Sequence, residues 1–260
     1  MERVPAARAI AAAVLSAGML SACSTGGEQI AREGRPAAPV SSAPASPASP
    51  SAPPSLTEAQ ARAALITEKD LGEPWAPTEG AATWRDGFLK AGVPANLPDC
   101  RRLLDVLYAE ELLGAPARAV VGLDDGWDEA QLRYQVTSRP PRDVDDTLAW
   151  LRTLPRTCAK FTATTAGGAR RGVEVEEADL PEVGDARQGL RVTVRAQDQR
   201  GYDGEPVTLT LDVVAVRVGE DAFALTNGGL GEVYAEVTRA AAELGAERLA
   251  QVRRQGRVQV

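Results

Sequence analysis

The sequence predicts an α+β fold: a mostly antiparallel β-sheet with helices packed on it. Three features lead there. Val207–Val218 runs Val-Thr-Leu-Thr-Leu-Asp-Val-Val-Ala-Val-Arg-Val, a segment dense in β-branched residues. Short turn-forming clusters, Asp124-Asp125-Gly126-Trp127 and Gly219-Glu220-Asp221, set off segments of the kind that antiparallel neighbours need. Helical stripes stand at the start, middle and end of this region instead of between every pair of strands, so a repeated β-α-β pattern is not indicated.

In chain order, Thr57 followed by Gln60 makes a capping-box start for a helix through Ala61, Leu65 and Ile66, ended by Gly72 and Pro74. Residues 74–97 are rich in Gly and Pro and hold Trp75, Trp84 and Phe88, which reads as a loop packed by aromatics. Leu97-Pro98-Asp99-Cys100 leads into a short helix through Leu103, Leu104 and Leu107. Ala119–Leu123 and Leu132–Thr137 read as strands, with Leu132, Tyr134 and Val136 on one face and Arg133 and Gln135 on the other. Pro140-Pro141 breaks the run. Asp143 is then expected to cap a helix with the stripe Val144, Leu148, Leu151 and Leu154, ended or kinked by Pro155. Gly172–Glu177, Leu190–Val194 and Ala222–Thr226 are further strands. Asn227-Gly228-Gly229 leads into a last helix carrying Val233, Val237, Ala240, Ala241 and Leu244, whose final turns hold Arg248, Arg253 and Arg254 at the negative end of the helix dipole.

Upstream of this region the chain has a different character. Arg3 and Arg8 precede the apolar run 9–22, the pattern of a secretory signal peptide over residues 1–22. At about 1.5 Å per residue that run reaches only ~21 Å, short of a bilayer's hydrocarbon core. Leu20-Ser21-Ala22-Cys23 resembles the bacterial lipobox. The resemblance implies cleavage after Ala22, a lipid on Cys23, and attachment to the outer face of the cytoplasmic membrane in the cell envelope. An ordinary secretory signal would leave Cys23 as a free thiol instead. The linker from Cys23 to residue 55 includes Pro36–Pro54, almost wholly Pro, Ala and Ser, which is expected to form a disordered tether reaching between ~30 and ~100 Å. Residues 56–260 then suit a single α+β extracytoplasmic domain.

Composition excludes several functions. The 260 residues contain no histidine, which removes Ser-His-Asp and Cys-His catalysis and the usual proton shuttle near neutral pH. A formal charge of −7 with scattered arginines disfavours nucleic acid and leaves membrane attachment to the lipid on Cys23. With Cys23 assigned to the anchor, Cys100 and Cys158 remain as a disulfide pair in an oxidising compartment. A redox-reactive pair is the alternative; no Cys-x-x-Cys spacing supports it.

Leu65-Ile66-Thr67-Glu68-Lys69-Asp70-Leu71-Gly72 with Trp75, then Leu97-Pro98-Asp99-Cys100 and Cys158-Ala159-Lys160-Phe161, resemble the extracellular sensor domain of PknH-type serine/threonine kinases and related lipoproteins. That resemblance spans roughly residues 56–250. It implies an α+β domain with disulfides and a cleft that senses or binds an extracellular ligand. The chain departs from the kinase form in offering no cytoplasmic kinase, no membrane-spanning helix and only one candidate disulfide.

Candidate chemistry is sparse. Asp124, Asp125, Asp128 and Glu129 could hold calcium, but their spacing does not fit an EF-hand loop and a hairpin turn explains them equally well. The acidic run 174–179 reads as the solvated face of a strand. Two carboxylates could act as a glycosidase pair, though carboxylates are too plentiful to single any out. Gly228-Gly229 and Gly231 lack the lysine or glycine pattern of a phosphate loop, and Ser138 is the only serine after residue 55. Trp84, Phe88 and Trp127 are the residues expected to line a cleft. No catalytic residue, metal or cofactor is expected. The reading is a non-enzymatic envelope lipoprotein that binds or senses an extracellular ligand. An accessory or scaffold lipoprotein binding other envelope proteins, and a histidine-free cell-wall hydrolase, are the alternatives.

Overall fold

Alternation of β-branched and polar residues sets out a ladder of strands. The computed structural model describes residues 55–258 apart from 81, 83, 115, 202 and 203. The leader, Cys23 and the linker up to residue 54 lie outside the described residues. The strands are β1 (Trp75–Pro77), β2 (Ala91–Gly92), β3 (Ala119–Asp125), β4 (Ala130–Ser138), β5 (Lys160–Thr165), β6 (Arg170–Glu177), β7 (Ala186–Arg200), β8 (Pro206–Val218) and β9 (Asp221–Gly229). The helices are α1 (Glu58–Ala63), α2 (Glu68–Leu71), α3 (Trp84–Phe88), α4 (Pro98–Ala109), α5 (Pro141–Thr157) and α6 (Ala235–Val258). Among the described residues the nine strands form one sheet in the order β1-β3-β4-β9-β8-β7-β6-β5-β2, every neighbouring pair antiparallel. The α+β class is as the sequence indicates.

Two apolar layers lie on opposite faces of the sheet and are offset along it. On one face α4 and α5 cover Phe161, Val173, Val175, Leu190, Val192, Val194, Leu209, Leu211 and Val213. On the other, α6 and α1 cover Leu123, Leu132, Tyr134, Val136, Val214, Val216, Phe223 and Leu225. Among the described residues, only β8 and β9 are apolar on both faces. The Cys100–Cys158 disulfide joins the start of α4 to the end of α5 beneath the first layer, with both cysteines buried.

Several elements depart from expectation. The first predicted helix is two. Asp70 accepts the Thr67 N–H at 2.6 Å and its hydroxyl at 2.8 Å, so Thr67 starts a new turn at α2. Within the expected loop 74–97 lie two edge strands and α3, short pieces that sequence periodicity cannot show. Asp143 does not cap α5, which begins at Pro141; it sits in the first turn and pairs with Arg139 instead. Pro155 is accommodated inside α5, which runs on to Thr157. Asn227-Gly228-Gly229 belong to β9 and not to a helix lead-in. The reason is steric: a Cβ on Gly228 would meet Leu211 Cδ2 at 2.1 Å, and one on Gly229 the Glu129 carbonyl at 2.4 Å. In α6, Ala240 is exposed and Ala242, Ala246, Leu249 and Val252 are buried, one step round the helix from the expected stripe. Gly245 sits inside that helix at an ordinary propensity penalty of about 1 kcal/mol. A Cβ there would approach Tyr134 Cε2 at 2.5 Å, so the glycine lets α6 settle on the fully buried tyrosine, whose hydroxyl donates to the Gly245 carbonyl at 3.3 Å.

The arginines of α6 act between elements. Arg253 pairs with buried Asp221, and Arg248 grips Asp70 at 2.5 and 2.8 Å while also donating to the Leu65 carbonyl at 2.6 Å. Burial pushes the Asp70 carboxyl up, but the bonds from Arg248 and Thr67 outweigh it and hold the group below its ordinary range.

Two predictions follow from these ties. Replacing Cys100 and Cys158 together by alanine removes a cross-link of sequence separation 58; urea unfolding should show a loss of about 4 kcal/mol. Asp70→Asn should lower stability at neutral pH by about 1.5–3 kcal/mol. A carboxyl whose pKa is depressed on folding stabilises above its unfolded value and loses that contribution as pH falls through the folded one. The gap between wild type and Asp70→Asn in urea melts should therefore be full above about pH 5 and narrow progressively at more acid pH.

Candidate functional site

The offset between the two layers leaves one corner where the sheet face is polar and still covered. Strand β4 turns Leu132, Tyr134 and Val136 toward α6, so Gln131, Arg133 and Gln135 face the opposite way. Beside them on β9 stand Ala224 and Thr226, in register with Gln135 and Arg133. The end of α4 and the short helix α3 close over this surface with Trp84, Arg85, Leu89, Val106 and Glu110. Between them lies a narrow chamber of about 30 Å³.

Local contacts fix each wall. Arg171 on β6 is 3% exposed; its Nε donates to the Gly87 carbonyl at 2.9 Å, Nη1 bonds Asp198 at 2.5 Å, and the guanidinium lies over the Phe88 ring at 5.4 Å. This anchors the end of α3 to the sheet. The Tyr108 hydroxyl donates to Asp86 at 2.9 Å and ties α3 to α4. Helix α4 stops at Glu110, which adopts left-handed backbone angles (φ 57°, ψ 35°). That conformation is unusual for a residue with a side chain. It turns the Glu110 carboxylate inward, where it pairs with Arg85 Nη2 and with Arg133 Nε.

Two guanidiniums therefore share one carboxylate. Burial depresses the Arg85 pKa, and the neighbouring Arg133 charge depresses it further; burial alone lowers that of Arg133. Both side chains stay cationic near neutral pH, so the chamber carries an excess of one positive charge. Nε of Arg85 and of Arg133 are buried without an aligned hydrogen-bond acceptor; for Arg133 the Glu110 oxygen is near but poorly directed. These donors point to the chemistry an oxyanion could satisfy.

A wider groove of about 380 Å³ adjoins the chamber, and Trp84 and Gln131 line both. Its other walls include Asp124, Glu129, Ala130 and Leu230. The Asp124 carboxylate accepts Thr78 Oγ1 at 2.8 Å and Gln131 Nε2 at 2.9 Å. Buried Asp125 accepts the amides of Trp127 at 2.9 Å and Asp128 at 3.2 Å, which shapes the hairpin turn. Among the described residues no group of three or more His, Cys, Asp or Glu is placed to hold a metal ion. A larger groove of about 750 Å³ runs along residues 177–189 and Arg152. It is broad and open, with Arg187 already paired to Glu182 at its edge, and it lacks the convergent half-buried groups that distinguish the chamber.

Of the residues expected to line a cleft, Trp84 stands at the junction of chamber and groove. Phe88 is 3% exposed and belongs to the apolar layer behind the chamber. Trp127 projects from the β3–β4 turn at 78% exposure and lines neither space. No sequence pattern marks Arg85, Glu110 or Arg133 as site residues. Arg133 was legible as the polar side of an alternating strand; no local pattern marks Glu110. If Arg171 anchors α3, Arg171→Met should lower stability by about 2–4 kcal/mol, and amide exchange at residues 84–89 should accelerate more than exchange in α5.

No protein-family model matches the chain, and no curated protein is significantly similar to it in sequence. Among solved structures, the extracellular domain of PknH from Mycobacterium tuberculosis is similar, with a TM-score of 0.45 and 16% sequence identity over 75% of this chain and 97% of that one.

Proposed function

We propose that this chain is a lipid-anchored extracytoplasmic protein whose domain binds a small ligand in the cleft at Trp84 and catalyses no reaction. One observation carries the binding reading: Arg85, Arg133 and Glu110 converge in a narrow chamber that an adjoining groove extends, with an indole at the junction. Convergent polar groups in a concave, largely preformed space are the usual mark of a ligand site. Placement outside the cytoplasm draws on the leader pattern ending at Cys23 and on the Cys100–Cys158 bond, which suits an oxidising compartment. The chamber's cations are guanidiniums, which do not exchange protons near neutral pH, and the sequence has no histidine to do so.

The test is tryptophan fluorescence of the full chain titrated with soluble cell-wall sugar–peptide fragments and with dispersed phospholipid. A saturable change that Trp84→Phe abolishes is expected with at least one of these. Silence across the whole panel would sink the cleft reading and favour an accessory protein, for which exposed Trp127 offers the contact.

A further inference from the structure

The chamber already contains a carboxylate, and it belongs to the protein. We propose that the Arg85–Arg133 pair is the receptor for the carboxylate of a small organic acid, and that Glu110 is its tethered competitor, occupying the receptor until a ligand carboxylate takes its place. The inference rests on the reading of this cleft as a ligand site and adds the ligand's chemistry and its control.

Geometry supports each part. The Glu110 side chain is 15% exposed and pairs with both guanidiniums, so its two oxygens mark where an incoming carboxylate would sit. Its hold is imperfect: Nε of both arginines is buried without an aligned acceptor, so donors remain for a better-placed oxyanion. The backbone beneath it is left-handed, a form common where a helix ends: the Glu110 and Glu111 N–H groups both donate to the Val106 carbonyl, so the turn keeps the side chain beside the chamber whether or not its carboxylate is paired. A chamber of about 30 Å³ admits a carboxylate-sized group and little more, so the body of the ligand must lie in the 380 Å³ groove past Trp84. That groove presents Asp124 and Glu129, which disfavour a second negative charge. The ligand class is thus an acid with one carboxylate and a neutral or cationic body, as in a short peptide with a free C-terminus.

A tethered competitor lowers apparent affinity by the fraction of time the receptor is free. Removing it should raise affinity about 10- to 100-fold. The experiment is calorimetry and thermal denaturation of the full chain with dialanine, dialanine amide and inorganic phosphate. Glu110→Gln keeps the side-chain size, and Glu110→Gly suits the left-handed backbone, so one guards against misfolding of the other. Both should bind dialanine more tightly than wild type. Both should melt lower than wild type without ligand and recover with dialanine, because the unpaired guanidiniums regain an anion. The amide should not bind, and Arg133→Met in the Glu110→Gln background should abolish the gain. If Trp84 fluorescence responds to dialanine but affinity is unchanged in both folded Glu110 variants, the competitor role is wrong and the cleft reading survives. Phosphate binding tighter than dialanine would overturn the carboxylate assignment. If dialanine binds neither the wild type nor the variants, the carboxylate receptor falls, whatever the cell-wall and lipid titrations show.

Discussion

Strands β8 and β9 carry apolar side chains on both faces, so neither face of the sheet's centre can be left to water and two helical layers are required. Each layer is only wide enough for part of a nine-stranded sheet. They settle with α4 and α5 over one half and α6 with α1 over the other, on opposite faces. Lateral to β8 and β9 the apolar layers lie on one face only. This offset explains why β4 alternates apolar and polar residues while β8 does not, and why Glu174 on β6 faces out to pair with Lys160 and Arg195.

The same constraint creates the candidate site. Where the α4–α5 layer runs out, the polar side of β4 would face solvent unless something polar covered it. The turn at Glu110 and the short helix α3 supply that cover, and a charged triad results because both surfaces bring arginines. Such a half-buried triad is a poor source of stability, since desolvation offsets much of the ion-pair energy. Apolar side chains can often replace a buried ion pair without loss of stability, so the triad contributes little to folding on its own. The Cys100–Cys158 bond lies at the other end of α4, where it ties the start of that helix to the end of α5.

What could be read in the sequence follows from how local each signal is. Strand alternation and the Val144–Leu154 stripe depend on neighbours two to four residues away, and both are realised. The cysteine pair needed only a count and a compartment. Gly228 and Gly245 were opaque because their reasons lie in Leu211 and Tyr134, far along the chain. Arg248 and Arg253 seemed explained by a helix end, whereas Asp70 and Asp221 hold them across elements. Glu110 is the extreme case: an ordinary residue after an ordinary helix, made distinctive by a backbone angle and by two arginines 25 positions before it and 23 after it. Trp84 could be guessed because indoles are scarce; its partners could not.

The wall that α3 gives the chamber is held in place from outside the helix. A helix of five residues has no stability of its own. It is held by Arg171 on the Gly87 carbonyl, by Tyr108 on Asp86, and by Phe88 in the apolar layer. Polar contacts of this kind contribute about 0.5–1.5 kcal/mol each, or somewhat more where charged. Burial of the Phe88 ring contributes a further ~1.5–3 kcal/mol, so polar and apolar contacts together keep α3 against the sheet. Trp84 and Arg85 both lie on α3, so the indole and one of the two guanidiniums keep their places only while that helix is held. Arg133 stays on β4 whatever α3 does, so the two guanidiniums converge on Glu110 only in the docked arrangement.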